Sequence, residues 1–142
     1  MLLQPASAIT AGVVLLTVVS IAYGGTFLLR VVTGKQGANT LQKSFFRAGH
    51  AHAGVLVILG LVVLVLLDAA GVTGWAHASA IGVLVAAILI PAGFFLSVLG
   101  RDPQRPSAVI ALVWTGFGVL VVSLIVAGVA LIVAGAGAGA VG

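Results

Sequence analysis

The chain has 142 residues, of which 62% are hydrophobic and 6% charged, with a formal net charge of +4. A soluble domain carries roughly 25% charged residues, so this composition leaves too little polar surface to cover a water-exposed fold. The absence of cysteine excludes disulfides, iron–sulfur clusters and thiolate chemistry. Six cations spread over two short loops do not make the dense basic face of a nucleic-acid-binding domain, and no nucleic-acid partner is expected.

From the start of the chain to Leu29 there is no Asp, Glu, Lys or Arg. A signal peptide opens with a basic region and has a shorter apolar core. Residues 7–29 therefore read as a retained first membrane helix, of the roughly 20 apolar residues a span needs. The polar segment from Arg30 to Arg47 follows, with turn formers at Gly34, Gly37 and Asn39. Within it Leu41, Phe45 and Phe46 interleave with Lys43 and Arg47, the pattern of an interfacial turn of helix. A second helix is expected over 44–67, with Ser44 as its N-cap. Asp68 comes next, then Gly71 as a stop and Thr73 as a cap for the following helix. The third helix covers about 75–99 and contains Pro91, which removes one backbone bond. Gly100 to Pro106 forms a polar turn, and Pro106 serves as a first-turn proline for a fourth helix over 106–134. Residues 1–134 thus make one four-helix domain, and the Gly/Ala-rich stretch 135–142 is expected to be a flexible tail.

Charge gives the topology. All six Lys and Arg lie in the first and third loops, and the second holds only Asp68. Two basic loops on one side require an even number of spans between them. The fold class expected is therefore an all-α integral membrane four-helix bundle, antiparallel and up-down. By the positive-inside rule the basic loops are cytoplasmic, both termini are not, and the chain belongs to the cell membrane. Arg30, Lys35, Lys43, Arg47, Arg101 and Arg105 act as orientation signals that also attract anionic lipid heads.

Small residues let membrane helices approach closely. Gly49, Ala53, Leu56 and Gly60 share a stripe on the second helix, Gly82, Ala86, Gly93 and Ser97 recur on the third, and Gly116, Gly118, Ala127 and Gly128 on the fourth. These read as packing seams, with self-association through some of them as the alternative. On that alternative Gly49→Leu or Gly60→Leu weakens an oligomer. Folding the chain at its loops also places Tyr23 to Thr26, His50 to Ala53, Phe94 to Ser97 and Val113 to Thr115 in one layer near the basic end.

The run Arg47-Ala48-Gly49-His50-Ala51-His52 is the most unusual in the chain. Ionisable groups inside a membrane are costly and are functional candidates by default. Two residues apart on a helix is about 200° of rotation, so His52 lies on the Gly49–Gly60 seam while His50 points away. They cannot chelate one metal from a regular helix. Tyr23, Ser97 and Thr115 lie at a depth to complete a polar or ligand site with them. At the opposite end Asp68 and His77 flank a short turn and form a second polar pair, with no Ser-His-Asp arrangement visible at one depth. Two acids at opposite ends argue against two-carboxylate catalysis, so no enzyme activity and no metal site are expected, and the sequence names no cofactor.

Three functions follow in order. The first is an accessory or structural subunit acting through helix packing with itself or a larger membrane complex. The second is an oligomeric small channel or transporter with a His50/His52 site at its inner mouth. The third is a haem- or metal-binding membrane protein.

Overall fold

The computed structural model describes residues 3–139, and every regular element among them is helical. These are α1 (Pro5–Val32), α2 (Thr40–Ala69), α3 (Gly74–His77), α4 (Ser79–Leu96), a 3₁₀ turn (Ala108–Ile110) and α5 (Ala111–Gly139). Four helical stretches are long and apolar enough to cross a membrane: α1, α2, α3 with α4, and the 3₁₀ turn with α5.

Local chemistry explains the helix ends. Proline opens α1, in the first turn where its missing N–H would have had no partner. Asn39, not Ser44, caps α2. Its side chain accepts from the Gln42 N–H at 2.8 Å, and Gln42 Oε1 accepts from the Asn39 N–H at 3.1 Å. This capping box satisfies first-turn donors and starts the helix four residues early, inside the polar segment. The far end of α2 is closed by Gly71 in the left-handed region, with φ +66°. The Val72 N–H reaches the Leu67 carbonyl and the Gly71 N–H the Asp68 carbonyl, both at 3.0 Å, a Schellman turn.

The third of these stretches is broken at Ala78 and ends at Leu96, earlier than the sequence suggests. Its end is set by a loop that folds back, in which the Ser107 N–H donates to the Ser97 carbonyl at 2.7 Å. Pro106 therefore lies before the last span rather than in its first turn, and Ser107 occupies the N-cap position. At the other end α5 continues past Ala134 through Gly139. The remaining tail residues, 140–142, lie outside the described residues.

The helices form a row: α1 rests on α2, α2 on α4, and α4 on α5. The start of α1 and the late turns of α5 lie at the same end as the α2–α3 turn, as shown by the Gln4–Asp68 bond and by a groove shared by Trp75 and Val133. The central core joins Leu56, Val57, Ala86, Ala87, Ile90 and Val113. A second cluster, with Leu64, Leu67 and Ala80, fills the Asp68 end, and Val31, Phe46 and Val98 fill the basic end. The outward faces of α1 and α5 carry exposed Ile9, Leu16, Val19, Val122, Ile125 and Ile132.

The seams of α2 and α4 are used within the chain, as is Gly116 of α5. A Cβ at Gly60 would stand 2.5 Å from Leu84, one at Gly49 2.8 Å from the Phe95 ring, and one at Gly93 2.7 Å from the Val113 backbone nitrogen. A Cβ at Gly82 would meet Ser123 Oγ. Leucine at Gly49 or Gly60 would therefore disturb the fold of a single chain. Neither substitution can report on self-association, contrary to the expectation from sequence.

Candidate functional site

Polar side chains gather at the two ends of the row. At one end, Asp68 in the last turn of α2 meets His77 at the end of α3, with His77 Nε2 2.6 Å from Asp68 Oδ1. The Schellman turn and the short α3 bring the two within reach. The Asp68 side chain is only 1% exposed. Two residues from α1's first turn complete the cluster. The Gln4 N–H donates to Asp68 Oδ2 at 2.9 Å. Ser7 Oγ lies 3.4 Å from His77 Nε2 and is also within reach of the Asp68 carboxylate.

Ser7, His77 and Asp68 thus come together, a grouping that sequence reading did not find. Their geometry is nonetheless unlike that of a nucleophile relay. A relay uses both ring nitrogens, one toward the acid and one toward the hydroxyl. Here the same nitrogen faces both partners, and its one proton is committed to the carboxylate. The arrangement instead surrounds one carboxylate of α2 with donors from two other elements, α1 and α3, as a charge withdrawn from water requires.

At the opposite end, His50 and His52 diverge. The ring of His50 lies against α1, where a Cβ at Gly25 would be 3.6 Å from its Cε1 and Nε2 atoms. His52 turns toward α4, with its ring centroid 5.3 Å from that of Phe94. Its Nδ1 lies 2.8 Å from the carbonyl of Ala48 on its own helix, which makes Nδ1–H the donor and Nε2 the free position.

The other expected members of that site go elsewhere. Tyr23 is exposed at 75%, Thr115 is exposed, and the buried Ser97 hydroxyl donates to the Phe94 carbonyl at 3.4 Å. None of the three bonds either histidine among the described residues. No group of three His, Asp or Glu side chains converges there either.

The strongest polar organisation near the basic loops involves Asn39 and Gln42. Beyond the capping box, Asn39 Nδ2 donates to Asp102 Oδ1 and to the Pro103 carbonyl, each at 2.8 Å. Gln42 Nε2 donates to the Val98 carbonyl at 3.0 Å and the Gly100 carbonyl at 3.1 Å. Two neutral amides on α2 therefore fasten the loop between α4 and α5. The loop adopts an unusual backbone to meet them, with Asp102 at φ +48°. The Asn-x-x-Gln spacing of a capping box was the available sequence signal. Between the loops lies a cavity of about 520 Å³ lined by Phe27, Gln36, Asn39, Phe46, Leu99 and Arg101 among others.

The cations stay outside these networks. Among the described residues the one carboxylate paired with a charged or titratable base is Asp68, with His77. Compared with family models, with curated proteins and with solved structures, the chain matches none.

Proposed function

We propose that the chain is a small multi-pass membrane protein that acts without catalysis, as an accessory or structural subunit that packs against itself or a larger membrane complex. Its basic loops face the cytoplasm on this reading. The observation that carries it is the contrast between two sets of glycines. Gly49, Gly60, Gly93 and Gly116 have close neighbours inside the fold, whereas Gly118 and Gly128 of α5 have nothing within 4 Å. Gly118 follows the exposed Trp114 by one turn, and Gly128 follows the exposed Ile125. Small residues on an outer helical face favour close approach of another helix.

A channel lined by His50 and His52 draws less support, because the two rings face different helices. A haem- or metal-binding role draws less for the same reason.

The chain has no cysteine, so Ile125→Cys supplies a unique cross-linking reporter on that face. In native membranes it is expected to give a cross-linked homodimer or a defined adduct, lost when Gly118→Leu and Gly128→Leu are added. A chain that remains monomeric and uncrosslinked there overturns the reading.

A further inference from the structure

The six cations are not equivalent. Lys43 and Arg47 lie one turn apart on α2 and together line a groove against α1, whose other walls are Leu28, Val31 and Val32. The groove holds about 160 Å³. Two cations of α2 therefore stand beside apolar walls formed by α1. The remaining four cations are not among the residues lining it.

The charge in this groove has no internal counterpart. The sequence contains two acidic residues. Asp68 is held by His77 and the Gln4 amide at the other end of the molecule, and Asp102 accepts from Asn39. Neither Lys43 nor Arg47 takes part in a salt bridge or a side-chain hydrogen bond among the described residues. Arg47 also sits two turns inside α2, only three residues before His50. A cation held at the edge of a span is costly unless it meets an anion or reaches water.

We propose that the α1–α2 groove binds one anionic phospholipid. Its phosphate bridges Lys43 and Arg47, and the adjoining glycerol and first acyl carbons lie against Leu28 and Val32. Guanidinium and ammonium side chains bind phosphate through charge-assisted hydrogen bonds. The apolar walls beside them select a lipid over a free anion. The site is independent of any helix partner on α5.

The test uses the full chain in nanodiscs or mild detergent, with native mass spectrometry counting retained lipid. Wild type is expected to retain phosphatidylglycerol in preference to phosphatidylcholine, with inorganic phosphate at millimolar concentration failing to displace it. Lys43→Ala with Arg47→Ala should weaken phosphatidylglycerol retention by about thirtyfold, as two lost surface cations imply. Arg101→Ala with Arg105→Ala should leave it within about twofold. Val32→Trp, which keeps every charge and narrows the groove, should lower retention severalfold. The proposal is overturned by equal retention of the two lipids, by displacement with inorganic phosphate, by equal losses in the two double variants, or by a Val32→Trp chain that retains lipid like wild type.

Discussion

The two ends of the bundle solve the same problem with different chemistry. Each must hold together segments far apart in sequence. At the Asp68 end a single buried carboxylate gathers Gln4, Ser7 and His77. At the basic end the two neutral amides of Asn39 and Gln42 spread their bonds over Asp102 and three backbone carbonyls. A charged hub concentrates the stabilisation in one group, so the loss of one partner strands a buried charge. An amide clasp divides it, so each loss is local. The difference also follows α1's place in the row. This helix rests on α2 alone, and the hub is what ties its first turn to α3.

The contrast is sharpest in His77→Leu, which removes one partner of the part-buried pair. A loss of about 2–3 kcal/mol is expected, that of a hydrogen bond to a charged group, read as unfolding free energy in mixed micelles. Asp68→Leu combined with His77→Leu should recover much of that loss, because an apolar pair leaves no stranded charge. If the double variant is less stable than His77→Leu alone, the hub is not governed by burial of charge.

Next in size is Gln42→Ala. It leaves the Val98 and Gly100 carbonyls short of a donor and should cost about 2 kcal/mol. Protease susceptibility of the 97–107 loop should rise with it. A Gln42→Ala cost equal to that of His77→Leu would erase the distinction between the ends.

Asn39→Ala should cost about 1 kcal/mol through loss of the cap, with faster amide exchange in the first turn of α2 and in the 100–104 turn that its amide holds. The smallest effect belongs to a position that neither end uses. Gly118→Leu faces open space and should change stability by no more than about 0.5–1 kcal/mol, in the stabilising direction because glycine is a poor helix former. A large destabilisation there would mean that α5 packs differently within the chain.

What could be read from the sequence follows the range of each signal. The spans rest on long apolar runs between charged loops, and these survive in the fold as four long apolar helices. The facing of His52 followed from helical periodicity alone, and the depth reckoning placed Gly25, His50, Phe94 and Val113 in the row where contacts now join them. Asp68 and His77 were legible as a pair because only one short turn separates them. Gln4 and Ser7 were not, since they lie more than sixty residues from their partners and carry no pattern beyond being polar. Asn39 reads as a turn former because apolar periodicity starts only later, whereas the helix begins among polar residues. Tyr23 and Thr115 share the histidines' depth but not their azimuth, which no reckoning by depth alone can supply.

The hub at Asp68 has a consequence for the order in which the molecule is made. Chains emerge and fold from the N-terminus, so Gln4 and Ser7 are synthesised before Asp68 and His77. Their partners arrive only after α2 has been completed and the turn beyond it has delivered His77. Through that interval α1 has no fastening at its leading end and no helix to lean on until α2 appears. Its residues from Pro5 to Leu29 contain no charge, which lets this helix wait in an apolar environment. Closing the hub therefore joins early residues to partners made some seventy residues later, before α4 and α5 exist, and a chain interrupted before residue 77 would hold a complete first helix with its leading end unfastened.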